Sequence, residues 1–304
     1  MKNTKLKMLA ALVSSSLLIS GCGDSSSLNQ LDTSNPGAPG SGNAENGNSG
    51  DENPFVGTSS ISGAISLSSL SGSDANAVNG ATAQFKQMSA ANVRALDATS
   101  NAIVKLYVVG SNGELQDTGI DCSFDKQSDD NGNPRYSCPN VADGKQYVVK
   151  YLRLLEGNRA LEMKVNVEVP EGAPSAEGGE ISPESTVVVD TIINAILTAT
   201  EGKNIDPEVV NDIVKSVKQA VINLVRSGAV QIPSMIVDAP KDASGNYISD
   251  VTRLKSGDDV DYGTNEQLQS AAGNLLSDES VANEVDAVKV EIGVRELERI
   301  DSSS

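Results

Sequence analysis

The clearest pattern in the chain is an alternation. Leu161, Met163, Val165, Val167 and Val169 fall on one face of an extended segment, and Glu162, Lys164, Asn166 and Glu168 fall on the other. A period of two predicts a half-buried antiparallel β-strand. Just upstream, Gln146 to Leu155 reads as a second long strand, and Glu156-Gly157-Asn158 supplies the hairpin connection between the two. Nearer the start, Ile61 to Leu67 alternates apolar with small residues. Ala102 to Val109 sets Val104, Leu106 and Val108 on one face before a Ser111-Asn112-Gly113 turn. Residues 70 to 100, rich in Ala, Ser and Asn, follow neither period and read as an insertion.

Beyond Glu171 to Glu180, a Gly/Pro/Ala/Glu linker, the period becomes helical. Ser182-Pro183-Glu184 has the marks of a helix start, with a capping hydroxyl, a proline at the first position and an acid in the first turn, and it leads into Val187 to Thr200. Asp206-Pro207-Glu208 repeats the device. Its helix places Val210, Ile213, Val214, Val217, Val221, Leu224 and Val225 along one stripe and ends at Arg226-Ser227-Gly228. After a loop from Ala229 to Gly263, two more helices are expected, Thr264 to Leu276 and Ser277 to about Ile300. The stripes are read as core packing. The expected fold class is α+β: an antiparallel β-sandwich over residues 59–170, then a mainly helical domain over 171–304.

The first residues read as an address. Lys2, Lys5 and Lys7 form a positive n-region, and Met8 to Ile19 form an apolar run too short and too polar for a permanent membrane span. Ile19-Ser20-Gly21-Cys22 then resembles the bacterial lipobox, which implies a signal peptide over 1–21 and a diacylglyceryl thioether on Cys22. At about 0.8 kcal/mol per buried CH₂, two acyl chains anchor durably. Gly23 in the second mature position, by resemblance to Gram-negative sorting, implies the outer membrane. Residues 23 to 58 hold 22 Gly, Ser, Asn or Pro among 36, so 22–58 reads as a disordered tether with a reach on the order of 30 Å.

Composition narrows the chemistry. The chain has 23 basic and 41 acidic residues and a net charge of −18; losing the three leader lysines leaves 20 against 41, or −21. Nucleic acid and anionic lipid surfaces are excluded as partners on that balance. With no His and no Trp, the commonest general base, the commonest metal ligand and the best sugar-stacking ring are all missing.

Once Cys22 carries lipid, Cys122 and Cys138 remain, and an even remainder in an exported chain reads as a disulfide. It would staple Ile120 to Phe124 against Arg135 to Cys138 around a loop from Asp125 to Pro134. The segments Ile61-Ser62-Gly63-Ala64-Ile65, Ala102 to Tyr107 with Gly113 following, and Val141-Ala142-Asp143-Gly144-Lys145-Gln146-Tyr147-Val148-Val149 together resemble the carboxypeptidase regulatory-like, transthyretin-like β-sandwich domains of bacterial surface proteins. The likeness covers about a third of the chain and departs in the 70–100 segment and the disulfide loop. It implies a seven-strand sandwich used as a spacer or docking module, without catalysis.

Candidate chemistry is sparse. Ser123-Phe124-Asp125-Lys126 fits S-x-x-K, yet no S-D-N or K-T-G accompanies it, so an enzyme is not expected. Asp125, Asp129, Asp130 and Asn131 could offer oxygen ligands to Ca²⁺, although the spacing fails the EF-hand; Asp258, Asp259 and Asp261 form a second acidic cluster. No other cofactor is expected beyond the lipid. The function expected is a lipid-anchored envelope protein with a structural or protein-interaction role, whose partners are the membrane, through the anchor, and another envelope or extracellular protein. The alternative is a binding module for a glycan or other envelope ligand. An apolar groove in the helical part would favour a protein partner, and a concave face bearing Tyr107, Tyr147 or Tyr151 would favour a sugar.

Overall fold

The computed structural model describes residues 53–68, 70, 74–75, 99–255 and 260–301; the leader, Cys22, residues 22–52 of the tether and most of the 70–100 segment lie outside them. The chain divides into two units, Met1–Asn48 and Ser49–Ser304, and every described residue belongs to the second. The fold class is α+β, with two mostly antiparallel sheets and helices.

In chain order the strands are β1 (Val56–Ile65), β2 (Ala102–Val109), β3 (Leu115–Asp121), β4 (Ser123–Ser128), β5 (Pro134–Val141), β6 (Lys145–Leu155), β7 (Arg159–Val169), β8 (Ala176–Ile181) and β9 (Ile236–Asp238). One sheet has the order β4-β5-β1-β8, with β1 and β8 parallel; the other has the order β3-β2-β6-β7-β9 and is antiparallel throughout. The expected hairpin is β6–β7, in unbroken register from Lys145↔Val169 to Leu155↔Arg159. Its connection bends through Gly157 and Asn158, both at positive φ, where glycine and asparagine suffer least from the Cβ clash. Apolar residues of both sheets, among them Ile61, Tyr136, Val149, Tyr151 and Met163, share one buried cluster. Across it the Phe124 ring meets Tyr151 edge-on at 6.3 Å.

The helices are α1 (Pro183–Thr200), α2 (Pro207–Arg226), α3 (Thr252–Lys255), α4 (Glu266–Leu276) and α5 (Glu279–Asp301). Ser182 caps α1 by accepting from Ser185 N, while Ser185 Oγ accepts from Ser182 N. Asp206 caps α2 and Asn265 caps α4. The α1 and α2 starts therefore stand where their Ser-Pro-Glu and Asp-Pro-Glu signals fall. The buried stripe of α2 carries Val210, Ile213, Val214, Val217 and Val221.

The structure departs from the sequence reading in several places. Strand β1 begins at Val56, inside the segment read as tether. The boundary expected at residue 170 is not a break in packing, because β8 joins the first sheet, β9 joins the second, and α1 packs on β7. Strand β8, Ala-Glu-Gly-Gly-Glu-Ile, lies within the supposed linker; its glycines hide it from a propensity reading. Gly178 is required there, since a Cβ would collide with the Tyr136 hydroxyl, which itself donates to Gly178 O at 3.1 Å. Ile120 to Phe124 is not one strand either. The chain leaves the second sheet at Asp121 and enters the first at Ser123, so Cys122 is the corner between them.

Cys122 and Cys138 form a disulfide across 16 residues, with Cα atoms 4.2 Å apart, and it ties that corner to the middle of β5. Replacing both cysteines by serine should lower the free energy of unfolding by about 2–4 kcal/mol in urea titrations. Mass spectrometry of the alkylated, non-reduced wild type should find neither thiol modified; two modified thiols would refute the bond.

Candidate functional site

The outer face of the second sheet carries a row of linked ionisable side chains. Lys105 on β2 stands directly opposite Lys150 on β6, which stands opposite Lys164 on β7, so three lysines line up across three strands. Three acids answer them. Lys105 Nζ pairs with Asp117 at 2.5 Å, Lys150 with Glu162 at 3.4 Å, and Lys164 with both Glu162 at 3.1 Å and Asp190 of α1 at 2.9 Å. The alternation along β7 predicts that Glu162, Lys164 and Asn166 face water. Instead the side chains of Glu162 and Lys164 are only 13% and 12% exposed, and Asn166 is buried. Helix α1 packs over this edge of the sheet, and Val237, Ala239, Ile248, Val251, Leu254, Val260 and Tyr262 pack over the neighbouring rows Ile103, Leu152, Leu154 and Ala160.

Two tyrosines complete the group. Lys150 Nζ lies 4.5 Å from the centre of the Tyr262 ring and 5.3 Å from that of Tyr107, while Lys105 Nζ lies 5.9 and 5.8 Å from the same two rings. Each ammonium thus gains the attraction of two ring faces. Burial opposes the charge on Glu162, Lys150 and Lys164, and the sign of each shift depends on whether the pairings outweigh it. Burial opposes the charge on Glu162, but Lys150 and Lys164 outweigh it and hold the carboxyl below its usual range. Burial likewise opposes Lys164, yet Asp190 and Glu162 hold it above the usual lysine value. For Lys150 burial prevails, helped by like-charged Lys164, and its pKa falls. Burial also pushes the Tyr107 phenol up.

A cleft of about 260 Å³ opens beside Lys105, where β3 departs from β2. Pairing jumps from Lys105↔Asp121 to Tyr107↔Asp117, so β3 spends two more residues than β2 over the same distance. The bulge puts Gly119 at positive φ and leaves Asp117 and Asp121 on the cleft wall. A second groove, about 210 Å³, lies in the helical part. Leu224, Ala229, Val230, Ala271 and Leu275 supply its apolar lining and Asp278 its acid.

The residues singled out from the sequence fare differently. Cys22 lies outside the described residues, as do Asp258 and Asp259. Asp125 lies in β4 rather than in a loop and pairs with Arg135 at 3.8 Å, because strand pairing continues to Ser128↔Pro134. The Asp129 carboxylate is taken up by its own five-residue turn: it accepts from the backbone N–H of Asn131 and Asn133 and from Asn133 Nδ2. Asp130 is exposed beside it, and Asn131 contributes its N–H to the turn. The four residues named for calcium therefore do not converge, and no group of three or more His, Cys, Asp or Glu able to hold a metal occurs among the described residues. Ser123 of the S-x-x-K match sits exposed on β4. Tyr147 and Tyr151 are fully buried and Tyr107 is 8% exposed, so none of the three offers a sugar-binding surface. Tyr262 is partly exposed and was not legible as a site residue, because it sits in a loop without periodicity.

Glu162→Gln removes the acid shared by two lysines and should cost about 3–5 kcal/mol at neutral pH, since it leaves a buried charge without its counterion. The wild-type contribution is present above the ordinary glutamate value of 4.5 and is lost as the pH falls through the lower folded value. The variant should lose that acid-side slope. Urea unfolding of both proteins across this range checks it, and an unchanged slope would overturn the assignment.

No family model, no curated protein and no solved structure matches this chain.

Proposed function

We propose that the chain is a lipid-anchored envelope protein, most simply of the outer membrane, whose folded body binds another envelope or extracellular protein. The lipobox at Ile19 to Cys22 supports the anchor. The apolar groove between the end of α2, residues 229–231 and α4 carries the interaction reading. Its apolar floor suits an inserted aliphatic side chain. Asp278 on its wall and the net charge of −18 suit a partner segment with basic residues around that side chain. On this reading the two sheets, with one apolar cluster between them and a disulfide at their corner, form a sandwich of the carboxypeptidase regulatory-like, transthyretin-like kind. The tether over 22–52 then gives the body room to meet its partner away from the membrane.

Catalysis has little support. Glu162 and Asp190 are tied to lysines, and Ser123 lies on an exposed strand. Calcium is left out of the proposal because the turn that would hold it uses Asp129 for its own backbone.

Two substitutions test the reading separately. Cys22→Ala should abolish palmitate incorporation and release the protein from membranes; labelling equal to wild type would refute the anchor. A photo-crosslinker at exposed Gln231 in intact envelopes should give a discrete protein adduct that weakens at high salt and disappears in the Val230→Glu background. An adduct indifferent to both would refute the groove as the docking site.

A further inference from the structure

The cleft beside Lys105 differs in character from the helical groove. Its wall bears both hydrogen-bonding signs within one pairing: the Lys105 ammonium donates and the Asp117 carboxylate accepts. Asp121, across the strand from Lys105, adds a second, exposed carboxylate. Ile120, half-buried, is the apolar side chain the lining leaves accessible, while Ile103 lies buried beneath it. The partly exposed Tyr262 stands next to it, its hydroxyl 3.5 Å from Lys105 Nζ. The walls are set by rigid parts: the bulge fixes Asp117, whose carboxylate accepts from Gly119 N at 3.0 Å, and the Cys122–Cys138 bond fixes the end of β3. A bulge that turns polar side chains into a cleft is a common device beside binding sites.

We propose that this cleft binds a neutral polyhydroxylated ligand, one pyranose unit of an envelope glycan. The charge pattern selects that chemistry. An anion meets Asp117 and Asp121 on a protein of net charge −18, and a metal cation meets Lys105 on the same wall. A hydroxyl both donates and accepts, so two neighbouring hydroxyls can bridge the Lys105–Asp117 pair while a third donates to Asp121. Ile120 offers an apolar contact to the C–H face of the ring. At about 260 Å³ the cleft lies just below the roughly 300–1,000 Å³ of drug-sized pockets and has room for one sugar ring, the rest of a chain remaining in solvent. Asp117, Asp121, Lys105 and Tyr262 are the residues assigned to it.

This inference is independent of the helical groove, and its test keeps the two apart. The full-length protein in detergent is titrated with methyl glycosides of glucose, galactose and N-acetylglucosamine, followed by saturation-transfer difference and amide-shift NMR. Expected are ring-proton transfer signals for at least one sugar, and saturable shifts at Gly119 and Ile120. Asp121→Ala, a surface change that leaves the pairings of Lys105 intact, should weaken the affinity by about 10-fold or more, whereas Val230→Glu should leave it unchanged. Absence of shifts for all three sugars at tens of millimolar overturns the proposal. So does binding that survives Asp121→Ala and Asp117→Asn, or shifts at Gly119 and Ile120 produced equally by acetate or by Ca²⁺.

Discussion

Three lysines in one row of a sheet are a liability unless each is answered, and the arrangement of the second half of the chain follows from how they are answered. Lys105, Lys150 and Lys164 occupy directly opposed positions on adjacent strands, where like charges repel. Asp117 comes from β3, Glu162 from β7 itself and Asp190 from α1. Only with all three acids in place can a helix and a long loop cover this face, because an unanswered buried charge costs several kcal/mol. Asp190 has a further consequence. It sits on α1 just where the helix passes Lys164, so the ion pair also fixes the helix against the sheet.

The same helix solves a second problem, the open edge of β7. Strand β9 pairs only with Arg159 to Leu161, so the rest of the edge would present unpaired backbone groups. Glu162 N donates to Met235 O. Lys164 N donates to Thr186 Oγ1, and Ser185 Oγ donates to Lys164 O, so the first turn of α1 substitutes for a strand. Further along, Lys218 of α2 donates to the carbonyl and the side-chain oxygen of Asn166. The sheet edge is thus closed by a loop carbonyl at Glu162 and by helical side chains at Lys164 and Asn166. That is why the β and helical parts form one unit instead of the two domains that composition suggests.

What was legible in the sequence was what short-range physics determines. The β6–β7 hairpin follows from alternation around a Gly-Asn bend, the starts of α1 and α2 from Ser-Pro-Glu and Asp-Pro-Glu, and the disulfide from the single pair of cysteines, Cys122 and Cys138, that remains beside Cys22. What escaped depends on partners distant in sequence. Alternation cannot tell a face open to water from one covered by a helix with matching charges, so Glu162 and Lys164 read as solvated. Strand β8 escaped because Gly178 is there for the Tyr136 ring, and β9 because three residues carry no period. The cleft was invisible for a related reason: it arises from a two-residue register jump between β2 and β3, and nothing in Leu115 to Asp121 announces one.

The charge network also bears on where function can reside. A carboxylate that neutralises two buried ammonium groups, as Glu162 does, is committed to the fold; withdrawing it to bind a ligand would cost the stability it supplies. Lys105 is different. It stands at the end of the row, its partner Asp117 is 42% exposed, and the strand that carries Asp117 is free to bulge because it is the edge of the sheet. Solvent can reach this pair, so a ligand hydroxyl can enter it without stranding a buried charge. Moving along the row from Lys164 to Lys105, the same lysine–carboxylate chemistry passes from structural to available, and the gradient is set by how many elements cover each pair.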